Sequence, residues 1–251
     1  MLNLADWHNR FIQQARWTEE LRHYLFNQLK IDKDERILEI GCGSGVVTAD
    51  LHGYTPAKIY GLDFRIEYLE FARQNDQKTR FACGDALRLP YVSAGIDCCV
   101  SHFFLLWLKD PLQGLKEMRR VTRQGGLVVA MAEPDYGGRI DYPAALTELG
   151  HLQAAALHQQ GADPNLGRRL ASLFSEAGLS DVQTGLLGGH WNASPSNETW
   201  ESEWSVLESD LDGWIDKGKL ESLRNLDSAA WQKGERILFV PTFYAWGTVP
   251  S

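Results

Sequence analysis

The sequence predicts a doubly wound α/β fold, with helices on both faces of a mostly parallel seven-stranded sheet. Three observations predict it. Short apolar runs alternate with helical patterns through the first 130 residues, the signature of βα units. The first run enters a Gly-x-Gly-x-Gly turn that opens a helix. A length of 251 residues, 44% hydrophobic and 23% charged, suits one globular domain with a sizeable core.

The elements follow in order. Residues 4–30 read as two short helices, the second capped by Thr18, with Leu21, Leu25 and Leu29 along one face. Strands are expected over residues 36–40, 58–62, 80–83, 96–101 and 126–132, with helices over 44–52, 65–75 and 111–122 between them. In the last helix Leu112, Leu115, Met118 and Val121 recur at helical spacing, and Gly125-Gly126 should stop it ahead of the fifth strand. An extra helix over 143–160 precedes another over 166–177, and strands over 182–187 and 237–246 complete the sheet. Pro241 inside the final run predicts an edge, a bulge or an interruption.

Residues 190–216 stand apart, with seven acidic residues, no Lys or Arg, and four of the nine tryptophans. Trp200, Trp204, Leu207 and Leu211 share one face of a helix, which leaves an acidic face to solvent. Such a helix either packs over the sheet or forms an aromatic wall or lid over a pocket.

Lys plus Arg number 25 and Asp plus Glu 33, a net charge of −8, so the chain lacks the bulk field that draws proteins to phosphate; no nucleic-acid partner is expected. Asp6, Arg10, Arg16, Glu19 and Glu20 break any secretory apolar core, and no long apolar stretch suits membrane insertion. A cytoplasmic location is the expectation. Cys42, Cys83, Cys98 and Cys99 make neither a disulfide framework nor zinc-ligand spacing, so they read as small buried hydrophobes and no metal site is expected.

Residues 36–45 read Arg-Ile-Leu-Glu-Ile-Gly-Cys-Gly-Ser-Gly, a strand running into a glycine turn. Glycines at 41, 43 and 45 let a ligand approach the backbone, and helix-start N–H groups can bond to it. A dinucleotide fingerprint requires a third glycine where this chain has Val46, and no Lys-Ser/Thr pair follows to make a P-loop. Asp63 closes the second strand, where a carboxylate can take both hydroxyls of a ribose. Asp85 follows the third, where one can accept from an adenine amino group.

The glycine turn, the second-strand acid, the Gly84-Asp85 pair, and Lys116-Glu117-Met118-Arg119-Arg120-Val121 ahead of Gly125-Gly126 together resemble the class I S-adenosylmethionine-dependent methyltransferases. The resemblance is to the broad small-molecule branch that includes the ubiquinone and menaquinone methyltransferases, and it covers roughly residues 35–187. It implies a Rossmann-like methyltransferase fold with S-adenosyl-L-methionine as cofactor and S-adenosyl-L-homocysteine as product. It also implies an N-terminal helical cap segment (1–34), a cofactor-binding core (35–133), an inserted helical cap (134–165) and a remainder (166–251) that completes the sheet.

Carried over residue by residue, the family's motifs put Glu39, Gly41, Cys42, Gly43 and Gly45 around the methionine part of the cofactor. Asp63 takes the ribose, Phe64 flanks the adenine, and Gly84, Asp85 and Ala86 hold its edge. Ser101 and His102 face the sulfonium, and Arg16 reaches the cofactor carboxylate from the N-terminal segment. Asp97 orders the start of the fourth strand and takes no part in chemistry.

Methyl transfer from a sulfonium is an in-line displacement, so alignment supplies much of the acceleration and a base is needed only when the acceptor must lose a proton. His102 is the candidate base by its ordinary pKa, and Tyr136 and Arg139 are candidates to orient an acceptor hydroxyl or carboxylate. The expected acceptor is a small organic molecule methylated on O, N or C. The alternatives are a catalytically silent cofactor-binding scaffold and an aminopropyl transferase.

Overall fold

In a computed structural model of the chain, residues 3–186, 188 and 195–251 are described. Seven strands form one sheet: β1 (Arg36–Ile40), β2 (Lys58–Asp63), β3 (Arg80–Cys83), β4 (Ile96–His102), β5 (Thr122–Pro134), β7 (Ser180–Leu186) and β9 (Thr242–Thr248). Their spatial order is β3-β2-β1-β4-β5-β9-β7. The first five run parallel, while β9 pairs antiparallel with both β5 and β7. The strand order reverses beside β1, so the ends of β1 and β4 open the crevice where ligands bind in doubly wound sheets.

The helices at the cofactor end of the chain are α1 (Leu4–Trp17), α2 (Glu19–Leu29), α3 (Val46–Leu51), α4 (Ile66–Asn75) and α5 (Pro111–Val121). Asn3 and Asp6 form a capping box that starts α1, and Asp110 with Pro111 starts α5. One face of the sheet buries Leu38, Leu62 and Val128 with Leu115 and Met118 of α5. The other buries Ile37, Val100 and Val129 with Leu25 of α2 and Leu51 of α3. Alternate residues of central strands thus point into two separate apolar layers, as buried parallel strands require.

Several expectations are corrected in detail. The helix at 111–122 ends at Val121 without help from glycine; Gly125 and Gly126 lie inside β5, at a bulge where the register with β4 shifts. Thr18 stands between α1 and α2 without capping α2 through its side chain, which turns back to donate to the Gln14 and Ala15 carbonyls. The run at 237–246 is interrupted at Pro241, leaving β8 (Ile237–Phe239) and β9. β8 pairs with the unanticipated β6 (Ile140–Tyr142) in a small separate sheet. Leu187, the last residue of the strand expected over 182–187, lies outside the described residues, as do 189–194, including the first five of the acidic segment.

The remaining helices are α6 (Thr147–Gln159), α7 (Leu170–Glu176), α8 (Asn197–Asp210) and α9 (Lys217–Gln232). Of the C-terminal region, β7 and β9 join the main sheet, and α7 with Leu166 packs against it. The helix predicted from Trp200, Trp204, Leu207 and Leu211 forms as α8, and it packs against α6 and α9 in a third apolar cluster with Leu146, Leu149 and Leu223. Asp227 of α9 lies at its centre, 4% exposed. It accepts from Trp200 Nε1 at 2.7 Å, Trp204 Nε1 at 3.0 Å and Arg236 Nε at 2.6 Å. Arg236 donates onward to Asp141 at 2.7 Å, and Asp141 is bound in turn by Arg139. A buried chain of charges therefore ties α8, α9 and the small sheet into one cap.

Candidate active site

β1 ends at Ile40 and the chain turns through Gly41, Gly43 and Gly45 with φ of +74°, +52° and +80°, values that side-chain-bearing residues rarely adopt. The Gly41 and Cys42 amides donate to the Leu62 carbonyl at 2.8 and 3.0 Å, which fastens the turn to β2. Asp63 fastens it again. One carboxylate oxygen accepts from the Gly43 amide and the other from the Arg65 amide, both at 2.9 Å. Burial raises the Asp63 pKa, and these backbone bonds oppose that rise.

Two aromatic rings cover the turn. A Cβ on Gly41 would lie 2.0 Å from the Phe104 ring, and one on Gly43 would lie 3.0 Å from Phe11 of α1. Phe104 is held by Glu133, a fully buried carboxylate at the end of β5. Glu133 accepts from the Phe104, Leu105 and Leu106 amides at 3.0, 2.8 and 3.2 Å, and burial pushes its pKa up to about 7. His8 of α1 is 2.7 Å from Ser44 Oγ, so α1 is bound to the turn by polar contact as well.

At the other end of the crevice, Phe64 is 73% exposed, an uncommon position for a large apolar ring and one suited to stacking on a planar ligand. Asp85 is exposed and accepts from the Leu87 amide at 2.9 Å; the Gly84 amide donates to the Asp63 carbonyl, and Ala86 is buried beside them. Cys83 is exposed here, with Sγ 3.4 Å from the Phe64 carbonyl, contrary to the expectation that every cysteine is buried. It ends the edge strand β3, which has a neighbour on one side only.

Glu39 Oε2 and Ser101 Oγ, near the ends of β1 and β4, are buried without a hydrogen-bond partner. Burial drives the Glu39 pKa up to about 8. Buried polar atoms left unpaired are uncommon, and a bound group or an ordered water can complete them; Thr48 Oγ1 of α3 is a third such atom. The left-handed glycines, the exposed ring and carboxylate, and these unpaired atoms fit an adenosyl ligand with a polar tail. Asp97 binds the Arg36 amide and the Arg123 side chain at the opposite end of the sheet, as an ordering residue should.

His102 has a different setting from the one expected of a base. It is 8% exposed, and Nε2 lies 2.7 Å from Thr18 Oγ1. Thr18 also accepts from the buried Arg22, which is paired with Asp50. Burial, with the Arg22 charge adding to it, lowers the His102 pKa to about 3, so the imidazole is neutral across physiological pH. This histidine fastens the α1–α2 junction to β4.

That setting predicts a pH effect. A group neutral in the fold but titrating at 6.5 when unfolded adds stability above pH 6.5 that is lost as the pH falls toward 3. Relative to His102→Gln, the wild type should lose about 2 kcal/mol of stability between pH 7 and pH 5. Thermal unfolding of both proteins across that range checks it; parallel curves would contradict it.

Beside the crevice lies a cavity of about 680 Å³, within the usual range for small-molecule sites. Its walls come from α1, the ends of β4 and β5, the cap helices and β8. Tyr136 lines it, and burial raises its phenol pKa against the opposing charge of Arg10. Arg139 also lines it, but its guanidinium is already committed to Asp141 and to Gln153 at 2.6 Å. Arg16 is exposed at the rim, and the arginine inside is Arg10. Glu203 also lines the wall, correcting the view of α8 as having a wholly solvated acidic face. Its spacing from Trp200 and Leu207 puts it on the apolar stripe, a signal present in the sequence. Nothing in the sequence singled out Arg10 or Glu133.

Among the described residues no group of three or more His, Cys, Asp or Glu is placed to hold a metal ion, and no helix is long and apolar enough to cross a membrane.

Comparison with known proteins agrees with this geometry. Residues 38–130 match the family model for the methyltransferase domain. An uncharacterized methyltransferase of Schizosaccharomyces pombe is 28% identical over 235 residues, 87% of this chain and 84% of that protein. A demethylmenaquinone methyltransferase of Bacillus licheniformis is 29% identical over 197 residues, 69% of this chain and 81% of the relative. The methyltransferase solved in complex with the Trm112 methyltransferase activator of Haloferax volcanii shares the fold with a TM-score of 0.64 at 18% identity, covering 99% of this chain and 96% of that one. The glycine turn, the sheet order and these likenesses support a class I S-adenosylmethionine-dependent methyltransferase, with the methyltransferase domain matched over residues 38–130.

Proposed function

We propose that the protein transfers a methyl group from S-adenosyl-L-methionine to a small organic acceptor bound in the cavity beside the glycine turn. The observation that carries this reading is the half-open, mainly apolar cavity of about 680 Å³ lined by Phe103 and Pro134 where β4 and β5 end. A drug-sized molecule fits such a volume.

Asp63 takes the ribose hydroxyls while keeping its two backbone bonds, and Gly84, Asp85 and Ala86 hold the adenine edge with Phe64 against its face. Gly41, Cys42, Gly43 and Gly45, together with Glu39 and Ser101, surround the methionine end, and Arg16 at the rim of α1 is the cation available to its carboxylate. When bound, the cofactor supplies an electrophilic methyl group on a sulfonium and leaves as S-adenosyl-L-homocysteine. The chain itself contributes alignment: Glu133 fixes the Phe104 loop, and Phe11 and the Thr18–His102 bond hold α1 over the site. Tyr136 is positioned to orient the acceptor as a neutral hydrogen-bond donor. His102 acts through Thr18 as a positioning residue, which suits an acceptor that reacts without a base at this histidine.

The test is a screen of metabolite extracts with methyl-labelled cofactor, comparing wild type with Asp63→Ala. Label entering the small-molecule fraction with wild type alone is the expected result. Label confined to protein or RNA, or none at all, would contradict the reading.

A further inference from the structure

Arg10 is the feature of the cavity that its other residues leave unexplained. It projects from α1 into the wall and is 7% exposed, yet it makes one hydrogen bond, Nη1 to Gln13 Oε1 at 3.0 Å. Its Cζ lies 4.7 Å from the centre of the Trp17 ring, which supports the flat face of the guanidinium. Among the described residues Nε and Nη2 donate to no acceptor, and no carboxylate lies within ion-pair distance.

Every other buried arginine near the site is paired: Arg22 with Asp50, Arg139 with Asp141, Arg236 with Asp227 and Asp141. A guanidinium taken out of water with most of its donors unused is costly, and an anionic oxygen relieves that cost through charge-assisted bonds. Glu203, Asp210 and Tyr136 are the acidic groups nearest in charge to Arg10. Burial raises the pKa of each, Glu203 to about 7, Asp210 Oδ1 already accepts from Gln160 at 3.1 Å, and none of the three is within ion-pair distance of Arg10. Trp17, Phe103 and Leu207 supply apolar wall around this guanidinium.

We propose that the methyl acceptor is an apolar molecule bearing an anionic oxygen group, a carboxylate or an ionised phenol, and that Arg10 receives that group. The inference rests on the cavity being the acceptor site. It assigns Arg10 to substrate selection: it binds the acceptor without exchanging protons with it, and it turns the reactive atom toward the glycine turn.

The test is equilibrium binding to the full-length protein saturated with S-adenosyl-L-homocysteine. The probes are two matched pairs, 2-naphthoate with 2-naphthamide, and 4-nitrophenolate with 4-nitroanisole. For at least one pair the anion should bind wild type about tenfold or more tightly than its neutral partner. Arg10→Met should weaken that anion about 10- to 100-fold and leave the neutral partner within about threefold, with Arg10→Lys in between. Which pair responds distinguishes a carboxylate from a phenolate acceptor. Both variants should keep wild-type affinity for S-adenosyl-L-homocysteine, which also reports that they are folded. Equal binding of anion and neutral partner in both pairs, or a preference that survives Arg10→Met, would overturn the assignment. Failure of wild type to bind S-adenosyl-L-homocysteine would instead overturn the methyltransferase reading on which it rests.

Discussion

Asp227→Ala is expected to lower the unfolding free energy by about 3–5 kcal/mol, the usual loss when one member of a buried ion pair is removed and its partner is left uncompensated. The carboxylate is 4% exposed and accepts from two indoles and a guanidinium. Its loss leaves Arg236, 3% exposed, with Asp141, which it shares with Arg139, as its only carboxylate, and takes the acceptor from both tryptophans of α8. At about 2–4 °C per kcal/mol for a protein of this size, the melting temperature should fall by about 6–20 °C. Because α8 also supplies Glu203 and Leu207 to the cavity, the near-ultraviolet circular dichroism of its tryptophans should weaken as well. Asp227→Asn, which keeps an accepting oxygen, should lose less. Differential scanning calorimetry of the three proteins checks the order; an unchanged melting temperature in Asp227→Ala would show that the cap does not depend on this chain of charges.

Asp63→Ala is expected to weaken cofactor binding by about 10- to 150-fold, the equivalent of one or more hydrogen bonds to a charged group. Two effects combine at this position. The ribose loses its acceptor, and the Gly43 and Arg65 amides lose the carboxylate that sets the shape of the turn. Asp63→Asn retains one accepting oxygen, so it can keep only one of the two backbone bonds, and its affinity should fall between those of wild type and Asp63→Ala. The Leu62 carbonyl continues to hold Gly41 and Cys42, so the fold should survive either change. Titration calorimetry with S-adenosyl-L-homocysteine measures the effect, and full affinity in a folded Asp63→Ala protein would show that the ribose lies elsewhere.

The cofactor half of the molecule was legible in the sequence because each step there depends on local chemistry. Apolar runs of four to six residues bounded by turns became β1 to β4, and the glycines at 41, 43 and 45 make the turn expected after β1. The acids expected at strand ends stand at strand ends. Even Pro241 interrupted its run as its missing N–H required.

The acceptor half was not legible in the same way, since its wall is assembled from segments far apart in the chain. Arg10 and Glu203 are 193 positions apart by their numbers in the chain, and no local pattern announces that α1 will meet α8. Glu133 lies just past the strand expected over 126–132; it becomes the acceptor for three amides because β5 runs on to Pro134 beside the turn after β4. His102 was read from its ordinary pKa, a quantity that belongs to water. Burial under the α1–α2 junction, with the Arg22 charge 80 positions away by residue number adding to it, determines what that pKa becomes.

The central claim is that the crevice at Gly41, Asp63 and Asp85 binds an adenosyl sulfonium cofactor and its product rather than a dinucleotide. Titration calorimetry of the wild-type protein against S-adenosyl-L-homocysteine and, separately, NAD tests this directly. The account predicts saturable binding of one S-adenosyl-L-homocysteine per chain and none of NAD, whereas binding of NAD without binding of S-adenosyl-L-homocysteine would contradict it.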